Sequence, residues 1–156
     1  MPISSGIPAP EFSLEDENGT VRTLSEFRGR PVLLYFYPKD DTPGCTTEAC
    51  HFRDDYSQYT EAGITILGVS PDTAKSHAKF KAKYGLPFSL LADNEHKVCE
   101  LYGVWGTKKN YGKEYQGVFR TTFLIDEKGN IVHVFKNVKP AEHSAEVLAE
   151  FNASRI

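Results

Sequence analysis

Strand-length apolar runs alternate with helical segments through the middle of the chain, and this order limits the folds open to it. Strands and helices are predicted in turn over residues 31–36, 46–62, 64–70, 72–84, 88–92 and 93–102. Each of these helices is followed by a glycine, at Gly63, Gly85 and Gly103. Strand–helix–strand units need right-handed crossovers, so the three strands are expected to be parallel neighbours in one sheet.

A hairpin is predicted on either side of this alternating segment. Residues 11–14 and 20–24 flank Asn18-Gly19, the strongest short-range hairpin signal, and residues 118–125 and 130–135 flank a second turn. The closing hairpin adds antiparallel strands to the parallel ones.

The rest of the chain is assigned more simply. The Gly-, Lys- and Tyr-rich residues 106–117 are predicted to form a loop, and residues 141–151 a final helix. No linker or repeat interrupts the sequence, so one domain is expected over residues 1–156. The predicted fold is α/β, with a mixed central sheet, helices on both faces and an N-terminal β-hairpin.

Two cysteines, Cys45 and Cys50, lie where the first of these strands passes through a turn into a helix. A thiol in the first turn of a helix meets unpaired backbone N–H groups and the positive end of the helix dipole, and both favour the nucleophilic thiolate. The polar turn Thr42-Pro43-Gly44 argues against a core role for Cys45. A second thiol close along the chain suggests redox chemistry.

Other interpretations of the cysteines are not equally favoured. Core packing remains plausible for Cys50, and it is favoured for Cys99, which has apolar neighbours in a predicted helix. A metal site at Cys50 and His51 is disfavoured, because adjacent helical residues point about 100° apart. The pair also lacks the Cys-x₂-Cys spacing of a dithiol oxidoreductase.

Arg120 stands at the start of an apolar strand, where a charge usually marks an exposed end. It becomes important only if that strand begins near Cys45, because a guanidinium there would hold the thiolate and the oxygen that it attacks. The other candidate ligands show no metal spacing and are interpreted as surface or hydrogen-bonded groups: His77, His96, His133 and His143.

Composition excludes several functional classes. The net charge of −3 and the pI near 6.0 give no electrostatic case for nucleic acid or an anionic membrane. No apolar run approaches the ~18 residues that span a bilayer. The first residues lack the basic and apolar regions of a signal peptide, so a cytoplasmic location is expected, where disulfides tend to be transient and catalytic.

The motifs around Cys45 resemble those of a known family. Pro38-x₃-Thr42-x₂-Cys45 is similar to the Pro-x₃-Thr/Ser-x₂-Cys signature of peroxiredoxins, and Thr42-Pro43-Gly44-Cys45-Thr46-x₃-Cys50 resembles the peroxiredoxin Q, or bacterioferritin comigratory protein, branch. The resemblance covers nearly the whole chain. It implies a thioredoxin-like fold and the reduction of hydroperoxides without metal or flavin cofactor, by thiols renewed from thioredoxin or glutaredoxin.

The resemblance also assigns roles to individual residues. Cys45 resembles the peroxidatic cysteine and Cys50 the resolving cysteine, which together would form an intramolecular redox disulfide. Thr42 resembles the residue that contacts the attacked oxygen, Arg120 the active-site arginine, and Pro38 the proline that shields the pocket. Pro43 and Gly44 belong to the same pocket segment. A monomer is implied, because resolution needs no second chain.

A second hypothesis comes from another functional class. The same two cysteines would suit a peroxide-sensing interaction module, in which a disulfide changes a binding surface. A sensor reacts once, whereas a peroxidase consumes peroxide continuously. A general disulfide oxidoreductase is a weaker third possibility.

Overall fold

The computed structural model describes residues 2–154 and has a seven-stranded central sheet. The sheet strands are β1 (Ser13–Glu15), β2 (Val21–Thr23), β3 (Val32–Phe36), β4 (Thr65–Ser70), β5 (Ser89–Ala92), β8 (Thr121–Ile125) and β9 (Ile131–Phe135). Their order across the sheet is β2-β1-β5-β4-β3-β8-β9. The expected parallel neighbours are confirmed, because β3 pairs with β4 and β4 with β5 in parallel, while the remaining pairs are antiparallel.

Helices cover both faces of this sheet. They are α1 (Pro43–Asp54), α2 (Tyr56–Glu61), α3 (Ala74–Tyr84), α4 (Lys97–Leu101) and α5 (His143–Ser154), with a short 3₁₀ helix at Leu24–Phe27. Successive side chains of β3 point to opposite faces of the sheet. Leu33 and Tyr35 join a cluster with α1, α2, α3 and α5. Leu34 and Phe36 join a second cluster with α4 and the N-terminal segment. The buried sheet between two apolar layers confirms the predicted mixed α/β architecture.

Several predicted boundaries were wrong. The helix expected over 46–62 begins earlier, at Pro43, and is divided into α1 and α2 at Asp55, whose backbone (φ −93°, ψ 6°) leaves the helical range. The strand expected over 118–125 starts only at Thr121, and Val118 ends a different strand. These two errors come from apolar or helix-forming runs that continue across a change of direction. The helix expected over 93–102 is shortened to α4 (Lys97–Leu101).

The loop expected over 106–117 is in fact a hairpin. The strands β6 (Trp105–Asn110) and β7 (Lys113–Val118) form a separate two-stranded antiparallel sheet. Its turn is made by Tyr111 and Gly112, both with positive φ, as a tight hairpin requires. Only Trp105 and Val118, which pair at the base of the hairpin, pack against the core. The side chains between them do not alternate between apolar and polar, so the usual strand pattern is missing.

No helix within residues 2–154 is long and apolar enough to cross a membrane.

Cys99 lies in α4 and is fully buried, as predicted for a packing residue. Burial, reinforced by the nearby Asp93 charge, raises the pKa of its thiol and makes it a poor nucleophile. Its backbone N–H donates to Asp93 Oδ2 over 2.8 Å, which fixes the start of α4.

We expect Cys99→Ser to lower the free energy of unfolding by about 1–3 kcal/mol, because a hydroxyl replaces a weakly polar thiol at an apolar site. Urea denaturation of the reduced protein measures this. Cys50→Ser, at a partly exposed position, is the matched control and should change stability by less than about 0.5 kcal/mol. Equal effects of the two substitutions would contradict an apolar environment for Cys99.

Candidate active site

Cys45 is the third residue of α1, directly after the loop that leaves the C-terminal end of β3. Thr42 is the N-cap residue with extended backbone, and Pro43 begins the helix. The cysteine is only 1% exposed. The thiol therefore lies at the positive end of the helix dipole, beside the N–H groups of the first turn and with little water around it.

Arg120 is far from Cys45 in the sequence, but its side chain contacts this thiol. Its Nη2 donates to Cys45 Sγ over 3.2 Å, and its Nη1 donates to Glu48 Oε1 over 3.2 Å. The contact follows from strand register, because β8 pairs antiparallel with β3 and places Thr121 opposite Phe36. The residue just before β8 therefore lies at the same sheet edge as Cys45.

Gly44 makes room for this arginine. A Cβ atom built on Gly44 would lie 2.7 Å from Arg120 Nη2, closer than real contacts allow, and 3.6 Å from Pro140 Cγ. Glycine is needed here because the Arg120 side chain approaches the backbone closely. Its φ lies outside the left-handed region and does not itself require glycine.

The other predicted pocket residues lie in or beside the loop before α1. Thr42 and Pro38 are partly buried, and Pro43 is exposed at the helix start. The Thr42 hydroxyl donates to the Lys39 carbonyl over 2.8 Å and makes no capping bond to the helix. Its oxygen is thus held in place by a bond that uses its proton, and it keeps lone pairs to accept a hydrogen bond from a ligand.

Glu48 is a site residue that the sequence analysis missed. It is 1% exposed, lies one helical turn after Cys45 and shares the same guanidinium. Burial raises its pKa to about 7, although the Arg120 charge and hydrogen bond act in the opposite direction. The spacing of Cys45 and Glu48 on one helix face was the available signal.

Tyr35, from the middle of β3, is also buried in this region. Burial raises the pKa of its phenol, and the charges of Glu48 and Cys45 raise it further, so the hydroxyl keeps its proton. No residue in the described range 2–154 accepts or donates a hydrogen bond at this hydroxyl. The polar and charged side chains of Tyr35, Cys45, Glu48 and Arg120 therefore lie close together where β3 and α1 meet.

Cys50 shares α1 with Cys45 but is less buried, and both are thiols. In a regular helix, five residues give a rise of ~7.5 Å and a rotation of ~140°, or a Cα–Cα distance of ~8.7 Å. A disulfide needs roughly 4.4–6.8 Å. The helix as observed therefore keeps these two sulfurs apart.

Glu48 makes stability depend on pH in a direction that can be stated. Its pKa is about 7 in the folded protein and near the ordinary 4.5 when exposed, so the folded state binds the proton more tightly. Stability is therefore lost as pH rises from about 4.5 to about 7, by at most about 3 kcal/mol, and is then constant.

We expect Glu48→Gln to remove this loss, because the amide does not ionise. Urea denaturation of both proteins between pH 4.5 and 8, in reductant, measures the difference in unfolding free energy. The unfolding free energy of Glu48→Gln minus that of the wild type should increase as pH rises. A constant difference across this range would show that Glu48 does not titrate there.

The chain is similar in sequence to known proteins over most of its length. The AhpC/TSA family model matches residues 5–134. Peroxiredoxin Bcp of Bacillus subtilis is 50% identical over 148 residues, covering 95% of this chain and 94% of the relative. Peroxiredoxin Bcp of Escherichia coli is 46% identical over 147 residues, covering 94% of each chain.

Solved structures agree with these sequence matches. A cysteine-to-serine mutant of Xanthomonas campestris peroxiredoxin Q superposes with a TM-score of 0.90 at 38% identity, covering 97% of this chain and 99% of that one. The bacterioferritin comigratory protein of the same organism, studied for alkyl peroxide reduction, gives a TM-score of 0.87 at 40% identity, covering 93% and 92%. The thioredoxin-like fold is thereby confirmed. The chain belongs to the AhpC/TSA family and is a peroxiredoxin of the group that includes Bcp and peroxiredoxin Q.

Proposed function

We propose that this peroxiredoxin reduces hydrogen peroxide and organic hydroperoxides at Cys45, with Cys50 as the resolving thiol and thioredoxin or glutaredoxin as the reductant. The observation that carries the proposal is the 3.2 Å contact between Arg120 Nη2 and Cys45 Sγ at the start of α1. A nearly buried thiol beside a fixed cation is suited to act as a nucleophile.

The first step is attack on the peroxide bond. The Cys45 thiolate attacks the terminal oxygen, the S–O bond forms as the O–O bond breaks, and the leaving oxygen departs as alkoxide or hydroxide and takes a proton from solvent. The Arg120 guanidinium and the N–H groups of the first helical turn stabilise charge on the reacting oxygens. The Thr42 hydroxyl oxygen accepts the hydrogen bond of the peroxide O–H.

The second step closes a disulfide. Cys45 is then a sulfenic acid, which Cys50 attacks, with loss of water, to give the Cys45–Cys50 disulfide. An external dithiol attacks this disulfide, supplies two electrons and restores both thiols. Peroxide is thus reduced by two electrons in each cycle, and no metal or organic cofactor takes part.

Continuous assay separates this function from peroxide sensing. We expect the wild-type protein to sustain NADPH oxidation with hydrogen peroxide, thioredoxin and thioredoxin reductase. Cys45→Ser should abolish it, because a serine hydroxyl is barely ionised at neutral pH. Cys50→Ser should still form the Cys45 sulfenic acid once, with sustained turnover much reduced.

Cys99→Ser is the control for general damage, because Cys99 is buried away from the site, and it should turn over as wild type does. A single equivalent of peroxide consumed by the wild-type protein, with no further turnover, would favour the sensing module. Wild-type activity in Cys45→Ser would contradict the whole mechanism.

The proposed disulfide requires helix α1 to unwind, because a regular helix holds the two Cα atoms ~8.7 Å apart. We expect residues 44–54 to exchange backbone amide hydrogens much faster in the Cys45–Cys50 disulfide form than in the reduced form. Hydrogen exchange with mass spectrometry measures both states. Protection of α5 should stay the same and serves as the internal control. Equal protection of residues 44–54, with the bridge confirmed by mass, would contradict unwinding.

A further inference from the structure

The loop before α1 is fastened to α3 by a buried polar cluster outside the site described above. Asp40 lies at its centre: Oδ1 accepts from the Tyr37 hydroxyl (2.6 Å), and Oδ2 accepts from the Ser76 hydroxyl (2.8 Å) and lies 2.7 Å from His77 Nδ1. The Asp40 backbone N–H donates to Asp72 Oδ2 over 2.8 Å. We call Asp40, Asp72, Ser76 and His77 the loop anchor.

His77 joins this cluster through both ring nitrogens. Its Nε2 lies 2.9 Å from the Leu91 carbonyl, which can only accept, so Nε2 donates its proton there. Its Nδ1 lies 2.7 Å from Asp40 Oδ2 and 3.4 Å from the Tyr37 hydroxyl. The ring is thus held between β5 and the loop before α1.

The loop anchor has ligand-like spacing but is not a metal site. Oxygen and nitrogen atoms of Asp40, Asp72 and His77 lie within 4.8 Å of one another, the one such group found in residues 2–154. The Nδ1 atom is engaged by Asp40, and Asp72 Oδ2 accepts from both Ser70 and the Asp40 backbone. The polar atoms thus satisfy one another.

The next residue makes a second connection to the same helix. Asp41 has a positive φ of 55°, a conformation uncommon outside glycine, and its carboxylate accepts from Lys83 Nζ and the Tyr84 hydroxyl at 2.7 Å each. Asp40 and Asp41 therefore hold the backbone of the loop on α3 immediately before Thr42. Thr42 in turn is bonded to Lys39 within the same loop.

We infer that His77 is a positioning residue for peroxide reduction: its hydrogen bond to Asp40 fixes the loop that places Thr42 and Pro38 around Cys45. The inference rests on the proposed peroxidase function. His77 acts through Asp40 and the loop backbone and need not touch the peroxide. Small displacements of reacting groups carry large rate penalties, up to about 10²-fold for about 1 Å.

Two rates measured on the same reduced protein test this role. Oxidation of Cys45 by hydrogen peroxide depends on the loop geometry, whereas alkylation of Cys45 by iodoacetamide, followed at this residue by mass spectrometry, depends on the reactivity and accessibility of the thiol and needs no contact from Thr42. We expect His77→Leu to slow the peroxide reaction about tenfold or more while alkylation stays within about twofold of wild type. His77→Asn keeps an amide donor near the Nδ1 position, and it should recover most of the lost rate.

The matched control is His143→Leu. His143 is equally buried and bonds Thr122 and Glu146, away from the loop, so its loss should leave the peroxide rate within about twofold of wild type. An unchanged peroxide rate in His77→Leu, or equal changes in the peroxide and alkylation rates, would overturn the inference. If His77→Leu does not fold, Asp40→Asn tests the same contact from the loop side. It should slow the peroxide reaction about tenfold or more while alkylation stays within about twofold of wild type.

Nitrogen-15 NMR of the wild-type protein provides a readout that does not depend on activity. The Nε2 nitrogen of His77 should carry a proton hydrogen-bonded to the Leu91 carbonyl, and a neutral ring protonated on Nδ1 instead would overturn the hydrogen bonding assigned to the loop anchor. If wild-type Cys45 does not react with peroxide at all, the proposed function fails, while the NMR result still decides the state of the loop anchor.

Discussion

The Arg120 guanidinium joins two acidic side chains of α1, Cys45 and Glu48, and the site is built around it. Its two terminal nitrogens each serve one partner, Cys45 Sγ and Glu48 Oε1, at 3.2 Å. Glu48 is almost fully buried, and a buried charge left without its partner is strongly destabilising. The contact between Arg120 and Cys45 therefore requires both a glycine at position 44 and the β3–β8 register.

The two acidic groups compete for this cation. Because the pKa of Glu48 is raised to about 7, its charge varies across the physiological range. When Glu48 is ionised, its charge draws on the same guanidinium that contacts Cys45; when Glu48 is neutral, that competition is weaker. In the proposed cycle, oxidation of Cys45 removes its attraction to Arg120 and leaves that of Glu48.

Local pattern was enough to predict the central sheet, its parallel strands and a helix after the cysteine turn, although that helix begins at Pro43 and not at residue 46. It was not enough for the hairpin in the region predicted as the loop 106–117, because most of its residues lie outside the core and lack apolar alternation. The position of Arg120 depends on the pairing of strands far apart in sequence, so no local signal could place it beside Cys45. Glu48 breaks the rule that carboxylates stay exposed, and such violations are expected mainly at functional sites.

The polar contacts divide the site into two parts with different supports. The loop before α1 is tied to α3 through both Asp40 and Asp41, and Arg120 stands at the start of a fully buried strand. The first two turns of α1, by contrast, begin without a side-chain cap and carry Cys45 and Glu48, which both contact Arg120. A helix held this way can lose its first turns while the loop stays tied to α3, because the partners of Asp40 and Asp41 belong to other elements. The backbone of Arg120 is likewise held outside α1, at the start of β8. The proposed cycle needs this division: Cys45 must leave Arg120 to meet Cys50, and it must return to a pocket that has kept its shape.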